Sequence, residues 1–303
     1  MTVLITGGGF IASHLARKII SEDEHVVMIS RSRSKLVSDI ISKLTYIVGD
    51  ISRWDIVAQI MKEYRPEYIY HTAALLSDEA NKDPIAAFKV NIEGTVNIYE
   101  LGRLYDVRRI IFISSLAIFS GSSIVNDESP KNPLEPYGIS KLFGELWGLY
   151  YIKKYGLDIR GLRGTWVFGP GRTKGSTAFS SIIIQKPALG EPVTVPDLEG
   201  NWIYIKDFVD ALLTLSKARD PKRRFYLVGG YNLSVRDVAE TVKDIIPTAK
   251  IYIVPPEGPA TLWPKSVDDK YFREDFHWRP KYNIKEAILD FIKELKEKPD
   301  IYS

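Results

Sequence analysis

The segment "PYGISK" sets Tyr137 and Lys141 four residues apart, so that on a helix the phenol and the ammonium share one face. A phenol has an ordinary pKa near 10 and is no base at neutral pH. Lowering that value by about 3 units corresponds to about 4 kcal/mol. A lysine cation one turn away, joined by a second positive group in the site, supplies a stabilisation of that kind. Upstream, "FISSLAIF" closes a β-branched run and places Ser114 and Ser115 at its carboxyl end. Ser115 there is expected to bond the substrate oxygen that the phenol works on and to orient it. A Tyr, Lys and Ser set of this kind moves a proton to and from an alcohol or carbonyl oxygen. A lone Tyr-x-x-x-Lys is common, and its plain reading is an exposed pair on a helix. The order along the chain gives it weight: a glycine-rich turn, then "HTAA", then Asn91, then the serine pair, then Tyr137 and Lys141.

The glycine-rich turn is "TGGGFIASHL", directly after the apolar run "TVLI". Gly7, Gly9 and Ala12 spell G-x-G-x-x-A between a strand and a helix. The first glycine permits the tight turn, the second lets backbone approach a pyrophosphate, and the small third residue lets helix and strand pack closely. The helix N-terminus then faces the phosphates. The alternative is a simple tight turn, but the strand before and the helix after are the context that a dinucleotide site requires. The second strand ends in "ISRSRSK", where an NAD site has Asp or Glu for the ribose hydroxyls. Here stand Ser30, Arg31 and Arg33. A guanidinium pairs with a 2′-phosphate through two hydrogen bonds, whereas a carboxylate repels it. NADP is therefore favoured over NAD, against the plain alternative of a solvated basic loop. Asp50, in "VGDIS", either accepts from the adenine amino group or caps the helix that starts near Arg53.

These residues need elements to position them. "VLIT", "HVVMIS", "LTYIVG", "EYIYHTAA" and "RRIIFISS" read as buried parallel strands. Helical patterns lie between them. One covers residues 10–21. A second covers 53–64, with Trp54, Val57, Ile60 and Met61 on one face. A third covers 84–105, with Ala87, Val90, Gly94, Ile98 and Leu101 inward. Residues 137–155 form a further helix and "LDIRGLR" a further strand. The alternation implies right-handed βαβ crossovers and an α/β fold: a Rossmann-type, doubly wound parallel sheet with a smaller C-terminal α/β substrate domain. The texture changes after Gly169, where "GPGRTKGS" and "ALGEPVTVPDLEGN" are rich in Gly and Pro. The expected dinucleotide domain is 1–168 with about 202–228, and the substrate domain 169–201 with 229–303.

Composition bounds the possibilities. The 303 residues carry a net charge of +3, with both signs interleaved, so no nucleic-acid partner is expected. There is no cysteine, which excludes disulfides and thiolate chemistry. The four histidines, His14, His25, His71 and His277, show no zinc spacing, so no metal is expected. No apolar run reaches the length of a membrane span, and a strand begins at once, leaving no room for a signal peptide. The expectation is a cytoplasmic protein with a small-molecule substrate and no membrane partner.

The segments "TGGGFIASHL", "GDI", "HTAA", "VNIEGTVNIYE", "FISSLAIF", "PYGISKLFGE", "LRGTWVFGPG" and "IYIKDFVDA" resemble the extended short-chain dehydrogenase/reductase family, in its nucleotide-sugar epimerase/dehydratase group. The resemblance runs from Thr2 to about residue 297. It implies Tyr137 as acid/base, Lys141 as its helper and a partner of the nicotinamide ribose, and Ser115 as third member. The nicotinamide ring is then the second positive group. It implies Asn91 as the structural asparagine of the central helix. It also implies a cofactor bed of Gly7, Gly9, Phe10, Ile11, Ser30, Arg31, Arg33, Asp50, Ile51, Thr72, Ala73, Ala74, Asn91, Ser114, Tyr137, Lys141 and Val167. The implied substrate contacts are Ser77, Ser115, Thr165, Arg172 and Thr177. The family turn T-G-x-x-G-x-x-G is one residue longer than this one, whose last glycine is replaced by Ala12, so the phosphate-contacting amides are expected to shift by a residue.

Three reactions compete. The 4,6-dehydratases of the group carry Asp-Glu directly after the third catalytic residue, where this chain has Leu116 and Ala117, so dehydration is rejected. A nucleotide-sugar 4-epimerase needs only the three residues and a ketone that turns over between two hydride transfers. Many epimerases hold the nucleotide phosphates with an arginine where this chain has Asn201 and Trp202, which leaves Arg172 or Lys174 for that task. The alternative is an oxidoreductase similar to short-chain-type L-threonine 3-dehydrogenase, suggested by "AALLS", "SSLAIF" and above all "WPKSVDDKYFREDFHWRP". Against it, "GSTAF" aligns with Gly-Thr-Thr-Asp-Tyr of those enzymes, keeping Thr177 but setting Ala178 in place of the carboxylate that meets the substrate ammonium. The structural reading of the tail is that Trp263, Phe272, Phe276 and Trp278 pack the small domain, with Asp268 and Asp269 as surface or cap residues. A non-catalytic NADP-binding regulator ranks last, since such proteins lose the Tyr or Lys. The helix "KLFGELWGLYYIKKY" is apolar over more than one face, through Leu142, Phe143, Leu146, Trp147, Leu149, Tyr150 and Tyr151, and predicts a homodimer.

Overall fold

Continuous apolar runs flanked by helical crossovers can satisfy their backbone and their side chains together only in a sheet covered on both faces. The computed structural model describes residues 1–256 and 264–302. Strand β1 (Thr2–Thr6) leads through the glycine turn into α1 (Phe10–Ile20), and β2 (His25–Ser30), β3 (Thr45–Val48), α2 (Trp54–Tyr64) and β4 (Tyr68–His71) follow. Two short helices, α3 (Ser77–Lys82) and α4 (Pro84–Ala87), run into a π-helical turn (Phe88–Glu93) and α5 (Gly94–Leu104). Next come β5 (Arg109–Ser115), β6 (Ile124–Val125), the long α6 (Pro136–Tyr155), β7 (Ile159–Gly164), β8 (Trp166–Phe168) and α7 (Phe179–Ala188). The chain continues through β9 (Val193–Pro196), β10 (Glu199–Tyr204), α8 (Ile205–Lys217), β11 (Phe225–Val228), β12 (Tyr231–Ser234), α9 (Val235–Ile245) and β13 (Ile251–Val254). It closes with β14 (Ser266–Val267), α10 (Lys270–Phe276), α11 (Ile284–Glu297) and α12 (Pro299–Tyr302).

Seven strands form one sheet in the order β11-β7-β5-β4-β1-β2-β3. The pairs around β1 are parallel, with Ile5 opposite Met28 on one side and Tyr70 on the other. The order reverses between β1 and β4, so the glycine turn that leaves β1 stands at the topological switch point, where open α/β sheets take their ligands. This is the α/β, doubly wound architecture expected from the alternation, with a smaller C-terminal α/β region. The core around the sheet includes Leu4, Val27, Ile69, Ile98, Ile110 and Phe112.

The chain divides into two compact units, one of residues 1–118, 133–163 and 209–226, the other of 119–132, 164–208 and 227–303. The second unit carries a three-stranded sheet, β12-β10-β8, and two strand pairs, β13-β9 and β14-β6. Its core includes Trp166 against Trp202 at 5.6 Å and Phe179 at 5.1 Å. Among the described residues no helix is long and apolar enough to cross a membrane.

Three features differ from the periodicity. Trp54 is 44% exposed, because it sits at the start of α2 on the margin of the inward stripe that Val57, Ile60 and Met61 form. The helix read over 84–105 is broken by the π-helical turn, in which Asn91 lies. Of the apolar residues read on α6, Tyr151 belongs to the inward face and is buried in the core of its own unit, whereas Leu146, Leu149 and Tyr150 are exposed. Small residues bring α6 down onto β5: a Cβ on Gly144 would come within 2.4 Å of the Phe112 ring, and one on Gly138 within 2.5 Å of Ala117 O. That close approach sets the height of Tyr137 and Lys141 over the sheet.

Candidate active site

Tyr137 and Lys141 occupy the first turns of α6, whose first residue, Pro136, has the φ that a helix start prefers. Lys141 is buried; its Nζ donates to Ile113 O at 2.7 Å and lies 5.5 Å from the centre of the Tyr137 ring. Burial pushes the ammonium down to about 7, so its charge is poised near neutral pH. Ser115 ends β5, half-buried, and its Oγ accepts from Ala117 N–H at 3.1 Å. Gly138, next to Tyr137, packs on Ala117, so the start of α6 lies against the turn that follows Ser115. Leu116 and Ala117 are buried in that turn and bring no acid or base.

The neighbouring Ser114 points the other way, as alternation along a strand requires. Its hydroxyl donates to Glu145 Oε1 at 2.6 Å, and Glu145 is forked to Arg163 at 2.8 and 2.7 Å, all of them buried. Ser114 is thus committed inside the protein rather than turned to a cofactor. Asn91 is committed in the same way: its Oδ1 accepts from Leu75 N–H at 2.7 Å, and its Nδ2 donates to Leu75 O at 3.0 Å and Ser140 Oγ at 3.1 Å. Ser140 Oγ in turn donates to Tyr137 O at 2.7 Å.

A second chain of hydrogen bonds reaches the same asparagine. Thr95 Oγ1 donates to Asn91 O at 2.6 Å, so it can only accept from His71 Nε2 at 2.9 Å. His71 therefore carries its proton on Nε2, and its Nδ1 accepts from Thr6 Oγ1 at 2.7 Å. Thr6 Oγ1 accepts from Ala73 N–H at 3.3 Å, and Thr6 O accepts from Thr72 Oγ1 at 2.5 Å. One directed network so joins the floor of the glycine turn to the backbone of Tyr137. Sequence reasoning missed His71, Thr6, Thr95 and Ser140; the signal lay in "HTAA", whose histidine is fully buried.

The residues present fit a dinucleotide at the switch point. Gly7 has φ +93°, a conformation that L side chains rarely adopt, and a Cβ there would lie 2.9 Å from Thr72 Oγ1 and 3.1 Å from Ala73. Gly9 is the N-cap of α1, no side chain caps that helix, and an added Cβ would meet nothing within 4 Å. The first turn of α1, with Phe10 and Ile11, thus offers amides to an anion beside open space. Ala12 is buried, as close packing demands. Arg31 and Arg33 are exposed and, among the described residues, make no hydrogen bond or ion pair. Asp50 does not cap α2; its Oδ1 accepts from Ser52 N–H at 2.9 Å, closing the turn before the helix. Ile51 is buried against Gly94, and Asn97 Nδ2 holds its carbonyl at 3.0 Å. Ala74 is half-buried after β4, and Ser77 is buried at the start of α3.

In the second unit Val167 is buried in β8, and Thr165 Oγ1 donates to Asn201 Oδ1 at 3.0 Å. Asn201 also accepts from Gly230 N–H at 2.9 Å and donates to Asn232 at 2.8 Å, so it does the work of a structural link, not of a phosphate ligand. Arg172 and Thr177 meet, Nη2 to Oγ1 at 2.5 Å, and Arg172 also donates to Val167 O. Lys174 is exposed. Ala178 is buried just before α7. In the tail, Asp269 accepts from Gly229 N–H at 3.1 Å and from Arg273 Nε at 2.5 Å, while Asp268 holds Lys270 N–H at 3.1 Å. Phe272 packs on Phe276 and Trp278, with ring centres 4.9 and 5.4 Å apart. Trp263 lies outside the described residues. Among the described residues no cluster of His, Asp and Glu could hold a metal ion.

Residues 3–229 match the family described as the NAD dependent epimerase/dehydratase family. The putative UDP-glucose 4-epimerase of Methanocaldococcus jannaschii is 29% identical, over 97% of this chain and 98% of that one. An uncharacterized epimerase/dehydratase of Staphylococcus haemolyticus is 28% identical, over 83% of each. Among solved structures, the GalE-like L-threonine dehydrogenase from Cupriavidus necator, in its holo form, superposes with a TM-score of 0.88 at 25% identity, over 97% of this chain and all of that one. The UDP-glucose 4-epimerase of Thermus thermophilus in complex with NAD shares the fold at TM-score 0.86 and 24% identity, over 98% of this chain and 99% of that one.

The His71 network makes a prediction about pH. Burial, and then the nearby Lys141 cation, push the imidazole down from 6.5 to about 3. Between those values the unfolded chain binds the extra proton, so the stability that neutral His71 contributes is complete above about pH 6.5 and is lost as pH falls toward 3. Urea unfolding is expected to weaken through that window with a slope approaching about 1.4 kcal/mol per pH unit from this group. His71→Gln should unfold more easily at pH 7 and show a shallower fall. Parallel curves for the two proteins would refute the assignment.

Proposed function

The chain belongs to the NAD-dependent epimerase/dehydratase family, and from that premise we propose that it is a nucleotide-sugar 4-epimerase using NADP or NAD, with NADP favoured. The observation that supports the reading is that α6, which carries Tyr137 and Lys141, packs on the end of β5, where Lys141 Nζ donates to Ile113 O and Gly138 lies against Ala117 O, just after Ser115. Ser115 bonds the hydroxyl at the sugar C4 and orients it. Tyr137 Oη accepts its proton as the C4–H bond breaks, leaving a 4-ketone. A bound nicotinamide ring supplies the hydride acceptor and, in the return step, the donor. Lys141, held over Ile113 O and close to the phenol ring, favours the ionised form of Tyr137. When the ketone presents its other face, Tyr137 returns the proton and the C4 configuration is inverted. Leu116 and Ala117, buried and without acid or base, support epimerisation over dehydration. The exposed guanidiniums of Arg31 and Arg33 support NADP.

The second reading is net oxidation of L-threonine, favoured by the likeness to the dehydrogenase of Cupriavidus necator. It suits the site less well. Ala178 is buried and uncharged where an ammonium would need a countercharge, and an unpaired buried ion costs several kcal/mol. The tail that resembles those enzymes is occupied with packing and with the Asp269–Arg273 pair. Purified protein with UDP-glucose or UDP-galactose is expected to give the other sugar by chromatography, with no net nicotinamide reduction. Steady net reduction with L-threonine, and no sugar conversion, would replace the first reading by the second.

The protein is further proposed to be a homodimer acting in the cytoplasm on a small molecule alone. The outer face of α6 exposes Leu146 (59%), Tyr150 (48%) and Leu149 (44%), an apolar surface that a single helix stripe on the sheet does not need. Sedimentation at micromolar concentration should give twice the mass of one chain, and Leu146→Glu with Tyr150→Glu should halve it. A single-chain mass for the unaltered protein would contradict the proposal.

A further inference from the structure

The loop after β2 is fixed at both ends. At its start Tyr46, which stands opposite Met28 on the neighbouring β3, donates to Ser32 O at 2.8 Å and accepts from Ser34 N–H at 3.1 Å. Ser30 Oγ lies 2.7 Å from Tyr46 Oη and 2.6 Å from the same carbonyl, and gives its one hydrogen to one of the two. At its far end Arg17 of α1 donates to Leu36 O at 2.5 Å and forks onto Asp39 at 3.1 and 2.7 Å. Arg31 and Arg33, both exposed, alternate along the first fastening with Ser30, Ser32 and Ser34, ahead of the second. The first fastening also touches the glycine turn itself: a Cβ on Gly8 would come within 2.6 Å of Tyr46 Oη and 2.9 Å of Ser30 Oγ. The basic loop is therefore held in register with the turn that faces the pyrophosphate, and Gly8 is a glycine because the clamp lies against it.

We propose that the hydroxyl clamp of Tyr46 with Ser30 is a positioning device that sets the preference for a 2′-phosphorylated dinucleotide. This rests on the NADP reading above. A guanidinium fork needs fixed geometry to meet a phosphate, and a loop ordered beforehand loses less freedom on binding. A dinucleotide without the 2′-phosphate makes no use of that order. Tyr46 was read from the sequence only as part of a strand.

The test is fluorescence titration of the full chain with NADPH and with NADH, for the unaltered protein and for Tyr46→Phe. The variant is expected to bind NADPH about tenfold more weakly while NADH affinity moves less than about threefold. An equal change for both ligands, or none, overturns the proposal. If Tyr46→Phe does not fold, Ser30→Ala is read in the same way. Tighter binding of NADH by the unaltered protein would end the NADP reading, and the clamp would still stand or fall on whether the ratio of the two affinities moves in the variant.

Discussion

The buried amide of Asn91 is the point on which the site depends. A carboxamide has an acceptor and two donor hydrogens, and leaving any of them unmet in the interior costs about 1–3 kcal/mol. Asn91 meets them with both backbone groups of Leu75 and with Ser140, so it fixes the segment after β4 and the first turn of α6 at once. Its own carbonyl receives the Thr95 hydroxyl, which ends the chain that starts at Ala73 and runs through Thr6 and His71. The π-helical turn has a purpose here. The wider turn places Asn91 between α4 and α5, and such turns are often found at functional sites.

Packing does the rest. Glycines 138 and 144 let α6 rest on β5, which delivers Tyr137 and Lys141 to the strand that ends in Ser115. The buried Glu145–Arg163 pair, with Ser114 attached, fixes the opposite side of the same strand end. Strand alternation separates the two serines, Ser114 turned to the buried Glu145 and Ser115 to the turn at Ala117. Burial pushes the Lys141 ammonium down to about 7.

Much of this was legible in the residues. The parallel strands, the switch-point turn and the helix carrying Tyr137 and Lys141 follow from apolar periodicity and glycine spacing, because those signals act over a few neighbouring residues. The hydrogen-bond network did not, since Thr6, His71, Thr95 and Ser140 are far apart in sequence and ordinary in type; only the fold brings their atoms within bonding distance. Side-chain direction was also hidden. Ser114, Asn91 and Thr165 read as site residues from their sequence context, yet each turns inward to a protein partner. Tyr46 escaped for the opposite reason: an aromatic residue on a strand looks like core, and its hydroxyl at the loop after β2 has no sequence signature.

The central claim is that Tyr137 takes the alcohol proton while a nicotinamide receives the hydride. The most direct measurement is a single turnover: the full chain loaded with oxidised dinucleotide, mixed with UDP-glucose, and followed by nicotinamide fluorescence. The account predicts a transient of reduced nicotinamide in the unaltered protein and its near-complete loss in Tyr137→Phe, with dinucleotide affinity retained. A transient of equal rate and size in Tyr137→Phe would show that another group moves the proton, and would contradict the account.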